Sequence, residues 1–159
     1  MLMRRTVVAN STPIIALSEI KRLELLKELY GEIAIPNAVC EEVKVKDAGI
    51  FDGQGWIRIM AISNLAAKEL FTSALHDGEV EVMLLAKEIN ADLVIIDDGL
   101  ARRHADYLGL TITGTVGVLL RAKSSGIIRF VAPVLDEIIQ HKFYISDSVY
   151  REVLRLAGE

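Results

Sequence analysis

The sequence predicts an α/β fold built on a mainly parallel central sheet, and three observations carry that prediction. The first is the unbroken apolar run Leu93-Val94-Ile95-Ile96, which ends in Asp97-Asp98-Gly99. A run without polar alternation reads as a strand buried on both faces, as inside a parallel sheet. The second is the alternation of short β-branched stretches with longer helical patterns. The third is the helix opened by Asp77-Gly78-Glu79. Its Val80, Val82, Met83, Leu84, Leu85, Ala86 and Ile89 make it apolar almost all round, so it belongs beneath other elements.

Taken in order, Thr6-Val7-Val8-Ala9 reads as the first strand, and Asn10-Ser11-Thr12-Pro13 as a helix start with Pro at the first helical position. Ile14, Ile15, Leu17 and Ile20 have helical spacing, and Leu23, Leu25, Leu26 and Leu29 continue it in a second short helix closed by Gly31. Ile33-Ala34-Ile35 is a short strand, after which Pro36 opens a helix through Val39, Val43 and Val45. Gly49, Gly53 and Gly55 mark a loop. Trp56 to Ile62 alternates with period two, as a strand near a sheet edge does. Residues 66–73 are weakly helical, and the buried helix and the Leu93 strand follow. Leu100 to Leu108 is a helix that Gly109 ends, Leu110 to Thr113 a strand, and Gly114-Thr115-Val116-Gly117 turns into a helix carrying Val118, Leu119, Leu120 and Ala122. Ser124-Ser125-Gly126 ends it. Two terminal helices, Val134 to Gln140 and Ser148 to Leu156, close the chain with no strand between them.

With 159 residues the chain is expected to form a single domain over 1–159, the helices of about 134–157 packing on it. Hydrophobic residues make up 52% and the mean hydropathy is +0.35. No apolar run is long enough for a spanning helix, so no membrane partner is expected. The N-terminus Met1-Leu2-Met3-Arg4-Arg5 is too short for a signal peptide and leads into the first strand. A single Cys40 excludes an internal disulfide and any Cys-cluster metal site, which fits a reducing, cytoplasmic setting. The high apolar content suggests a homodimer that buries some of it. A net charge of −4 argues against binding polyanions by global charge, so basic contacts must be local. Lys21-Arg22, Arg102-Arg103-His104 and the group Arg121, Lys123, Arg129 are such clusters. An ordinary solvated helix face is the plainer reading of each, and nucleic-acid contact by Arg102, Arg103 and Lys123 is the alternative.

If the strands are parallel, three turns crowd one rim of the sheet: Asn10 after the first strand, Asp97-Asp98 after the Leu93 strand, and Thr113-Gly114-Thr115 after the last. Asp97 and Asp98 could equally do no more than cap the next helix. Two helices offer further acids. Glu41 and Glu42 follow Pro36, with Glu42 beside the Val39/Val43 stripe; a solvated Glu pair is the plainer reading. Asp77 and Glu79 open the buried helix, where capping explains Asp77 but explains Glu79 less well. Carboxylates without a Cys or His set point to Mg²⁺ or Mn²⁺. His76, His104 and His141 are scattered without ligand spacing, which disfavours zinc. Nucleophile elbows, P-loops and the dinucleotide fingerprint are absent. By elimination, metal-assisted hydrolysis of a phosphodiester is the chemistry best supported.

Five segments in this order resemble the PIN-domain family, and specifically PIN-like proteins related to VapC toxins, predicted to bind nucleic acid. They are Val8 to Leu17, Ile35 to Val43, Asp77-Gly78-Glu79, Ile95 to Arg102, and Gly109 to Leu119, with Gly158-Glu159 at the end. The resemblance spans almost the whole chain. It implies a Rossmann-like, three-layer α/β/α fold and a Mg²⁺- or Mn²⁺-dependent ribonuclease site. The acid positions of that site match Asn10, Glu42, Glu79 and Asp97 here; Asp98 is a neighbour able to serve instead. Ser11 and Thr115 are placed to hydrogen-bond the metal's waters. The resemblance also implies an RNA substrate and, in a toxin–antitoxin pair, an antitoxin protein as partner. The departure is Asn10, where the family's usual residue is Asp. An amide oxygen is a neutral and weaker ligand. The alternative reading is therefore a PIN-like binding module with weakened or absent catalysis. A phosphohydrolase of small substrates is disfavoured, because no Asp-x-Asp pair follows the first strand.

Overall fold

Among the described residues, five short strands form one sheet: Val7–Ala9 (β1), Ile33–Pro36 (β2), Ile57–Met60 (β3), Leu93–Ile95 (β4) and Ile112–Thr113 (β5). They lie in the order β3-β2-β1-β4-β5, and every neighbouring pair is parallel. The computed structural model describes residues 5–71 and 75–159. The start of the N-terminal segment, before Arg5, and the last part of the weak helix expected over 66–73 lie outside them. Helices flank the sheet: Ser11–Glu19 (α1), Glu24–Tyr30 (α2), Asn37–Lys46 (α3), Leu65–Lys68 (α4), Asp77–Glu88 (α5), Gly99–Tyr107 (α6), Thr115–Ser124 (α7), Val131–Gln140 (α8) and Asp147–Leu156 (α9).

The middle strands are the most apolar, as a parallel sheet covered on both faces requires. Val8 and Ala9 of β1 and Val94, Ile95 and Ile96 at β4 are fully buried. The register sets Val8 against Ala34 on one side and against Val94 on the other. Edge strand β3 buries Ile57 but exposes Arg58 and Ile59. It is shorter than the Trp56–Ile62 alternation suggested, because its ladder stops where β2 stops, with Pro36 opposite Met60. Helix α5 packs on β1, β2, β4 and α3, and the burial expected from its composition is observed.

Two helix starts differ from expectation. Pro13 is the third residue of α1, not the first. Its missing N–H still falls among the first-turn donors that have no helical partner, so it costs nothing there. Helix α8 begins at Val131, before the expected Val134, because its cap is not local. Glu159 accepts hydrogen bonds from the N–H groups of Val131 (2.8 Å) and Ala132 (3.1 Å). Helices α8 and α9 both pack on α7, and α8 also touches α1.

The strand order places β2 and β3 on one side of β1, and β4 and β5 on the other. The chain therefore reverses its direction of winding between β1 and β4. The crevice beyond the carboxyl ends of those two strands is the switch point where open α/β sheets bind ligands.

Candidate active site

Asn10 leaves β1 at that switch point, and its N–H donates to the Ile95 carbonyl at 2.9 Å, tying the ends of β1 and β4 together. The residue is only 5% exposed, and its Oδ1 is buried without a hydrogen-bond partner among the described residues. An orphaned buried oxygen costs roughly 1–3 kcal/mol. Next to it, Ser11 opens α1 and its hydroxyl donates to Glu42 Oε2 at 2.8 Å. The stripe of Val39 and Val43, both fully buried, turns Glu42 inward and leaves Glu41 exposed.

Glu42 lies against the first turn of α5. A Cβ on Gly78 would stand 2.5 Å from Glu42 Oε1, so glycine is what lets α3 and α5 bring their acids together. One residue on, Glu79 is 7% exposed and accepts the His76 N–H at 3.1 Å, the bond by which a third helical residue reaches back to the cap. Burial pushes the Glu79 carboxyl above the ordinary carboxylate range. The His76 N–H and ring oppose the shift, and the charges of Asp98 and Glu42 reinforce it.

Asp97 ends the β4 segment and turns toward α7. Its Oδ1 accepts the Thr115 N–H at 2.9 Å and its Oδ2 the Thr115 hydroxyl at 2.6 Å. The carboxylate thus caps the start of α7, where the helix dipole favours negative charge. Again a glycine gives the space: a Cβ on Gly114 would lie 2.6 Å from Asp97 Oδ1 and 2.9 Å from Arg102 Nη1. Arg102 donates from Nη1 to the Ile96 carbonyl at 3.1 Å. Asp98 is exposed, and its Oδ1 accepts the Ala101 N–H at 2.8 Å to cap α6. The helix-capping reading of the acid pair is therefore right for Asp98.

Glu79 thus feels the charges of both Glu42 and Asp98, and Asp97 follows β4, the strand paired with the one that Asn10 follows. No ion pair is formed by any of these four acids among the described residues. Hard oxygen donors with unbalanced charge, next to an orphaned amide oxygen, have the donor chemistry of a divalent-ion site. As placed, no three of the His, Cys, Asp or Glu side chains among the described residues stand close enough to hold one ion. Ser11 and Thr115, expected beside the metal's waters, are bonded directly to Glu42 and Asp97.

The basic candidates separate. Arg102 reaches the rim, whereas Arg103 is exposed on α6. Lys123 lies two turns further along α7 and is committed elsewhere, donating to the Ala157 carbonyl and pairing with Glu159 at 2.9 Å. Sequence reasoning missed Glu81, a buried acid of α5 that accepts the Ala38 N–H (3.1 Å) and pairs with Lys68 (2.7 Å), locking α3 and α4 to α5. It also missed the steric roles of Gly78 and Gly114. The available signal was a glycine in the first turn of an otherwise strong helix, which propensity disfavours.

The family model DUF3368, described as a PIN domain, matches residues 6–159. Among solved structures, the chain is similar to a PilT N-terminus domain protein from the hyperthermophilic archaeon Sulfolobus solfataricus P2. The identity is 20% and the TM-score 0.54, over 71% of this chain and 89% of that one. No curated protein matches.

Proposed function

The chain belongs to the PIN-domain family, and from that premise and its acid-lined rim we propose that it hydrolyses RNA phosphodiesters with Mg²⁺ or Mn²⁺ as cofactor. PIN domains are generally divalent-metal-dependent nucleases. The observation that carries the reading is that Glu42, Glu79, Asp97 and Asp98 lie at one rim of the sheet, where the buried Oδ1 of Asn10 has no hydrogen-bond partner, and none of the four acids forms an ion pair among the described residues. Glu42, Glu79 and Asp97 would hold the ion, with Asn10 and Asp98 contributing oxygens. A bound divalent ion supplies an activated water and neutralises charge on the phosphate. The chain's own groups prepare that site. Ser11 fixes one oxygen of Glu42, Thr115 fixes both oxygens of Asp97, and the two glycines leave the carboxylates room. To share one ion, these side chains would have to draw closer together than they stand.

Cleavage of mixed RNA in Mn²⁺ tests the reading. Wild type cuts, and Asp97→Asn and Glu42→Gln lose at least about 100-fold, the scale of a removed electrostatic stabiliser. Equal cleavage by the variants contradicts it. A second reading, a binding module with weakened or absent catalysis, is favoured by Asn10 itself, which holds one charge fewer than Asp would. Under it, wild type cuts nothing and binds Mn²⁺ weakly. The nuclease reading extends to the toxin of a toxin–antitoxin pair with a protein antitoxin, acting in the cytoplasm as a homodimer. The family resemblance supports the first part, and exposed apolar side chains such as Val45, Leu70 and Leu156 support the last. A small DNA-binding protein encoded just upstream and a dimer mass by light scattering are the expected outcomes. No helix among the described residues is long and apolar enough to cross a membrane.

A further inference from the structure

The acids of the rim and the chain's net charge of −4 set a problem for any polyanionic substrate: both repel it. A cation is needed close to Asp97, and most of the basic side chains with a resolved partner are spent elsewhere. Lys68 pairs with Glu81, Lys123 with Glu159 and Arg155 with Glu152, while Lys87 donates to the Leu108 carbonyl. Arg102 differs from these. It is half-buried, and one donor, Nη1, is anchored on the Ile96 carbonyl, the backbone group immediately before Asp97. Its Nη1 and Asp97 Oδ1 border the same point, where Gly114 has no Cβ, yet the two side chains make no ion pair. The fork of a guanidinium carries five donors, so the anchor leaves the others available in a fixed plane.

We propose that Arg102 binds a non-bridging phosphate oxygen of the RNA phosphodiester beside Asp97, anchored for that purpose on the Ile96 carbonyl and given its space by Gly114. This rests on reading the rim as a nuclease site. A planar, preorganised fork matches a phosphate bidentately, which a lysine ammonium does not. Neighbouring Arg103 is exposed and shares neither the anchor nor the glycine-cleared space.

The test is binding of a fluorescein-labelled single-stranded RNA, followed by anisotropy in EDTA across a salt series, for wild type, Arg102→Ala, Arg102→Gln and the exposed Arg151→Ala. Arg102→Ala binds about tenfold more weakly. Its log K against log salt is shallower by about 0.7, the value for one phosphate contact on a single strand. Arg102→Gln, which keeps a donor for the Ile96 carbonyl, shows the same loss with an unchanged melting temperature, and so decides the matter if the alanine variant unfolds. Arg151→Ala matches wild type. Unchanged affinity and slope in Arg102→Gln overturn the proposal, as does a wild type that binds no RNA at any salt. The two readings separate in Mn²⁺. If wild type cuts RNA and Arg102→Gln cuts with unchanged KM, Arg102 loses its role and the nuclease reading stands. If RNA binding depends on Arg102 but nothing is cut, the nuclease reading falls and the role of Arg102 stands.

Discussion

Glu79 is held where a carboxylate is poorly solvated and near two others, so its proton affinity is raised. Between the ordinary carboxylate range and that raised value, the folded chain keeps a proton that the unfolded chain has released. Stability therefore falls as pH rises through that window, and above it the penalty is fully present. Without metal, Glu79→Gln should melt higher than wild type at about pH 8, and the gap should close toward about pH 4. Thermal melts over a pH series check this, and a gap of the opposite sign would show that Glu79 is a stabilising charge. Mn²⁺ should reverse the order, because only the ionised Glu79 can hold it. Asn10 obeys the complementary logic. Asn10→Asp adds a fifth acid to the rim, so it should lower metal-free stability and tighten Mn²⁺ binding about tenfold or more, as a charged ligand replaces a neutral one. Calorimetry reads both the affinity and the proton release. Unchanged Mn²⁺ affinity would remove Asn10 from the ligand set.

The glycines act at the scale of the elements. Gly78→Ala places a methyl 2.5 Å from Glu42 Oε1, at the end of a flexible side chain that can swing away once its single bond from Ser11 is given up. Alanine is also the better helix former by about 0.8–1 kcal/mol. Stability should change by less than about 1 kcal/mol while Mn²⁺-dependent cleavage falls at least tenfold; denaturant melts beside cleavage assays separate the two. Gly114→Ala strikes Asp97 and Arg102 together, both tethered, and should cost about 1–2 kcal/mol as well as activity. These contacts also mark what could be read in advance. Strand β4 and its acids were legible because an unbroken apolar run has one economical explanation in a parallel sheet. Glu42 was separable from Glu41 by the position of Val39 and Val43. That Asp98 caps α6 while Asp97 turns to Thr115 was not legible, because both residues suit either place and the choice depends on where α7 begins. Nor was the clearance at Gly78 and Gly114, which exists only once α3 meets α5 and β4 meets α7.

For the molecule as a whole, long-range ties decide what local pattern leaves open. The start of α8 has no side-chain cap of its own; its acceptors come from Glu159, far along the chain, which also pairs with Lys123. Burial pushes the Glu159 carboxyl up, but the two N–H groups and the ammonium outweigh it and hold it below its ordinary value. Its contribution is therefore present at neutral pH and is lost as pH falls through the depressed value. Glu159→Ala should cost about 1 kcal/mol in denaturant melts, the usual worth of a helix cap, and leave cleavage by the folded protein unchanged. A loss of cleavage without a loss of stability would show instead that the C-terminal tie reaches the rim through α7. The sheet order matters more than any of these ties, because it sets the ends of β1 and β4 side by side and turns acids scattered over α3, α5 and the β4 end into one charged rim. Titration of Mn²⁺ into wild type and Glu79→Gln by calorimetry tests that claim most directly. Wild type should show a single site that is lost in the variant. Absence of binding by wild type, or equal binding by both, would contradict it.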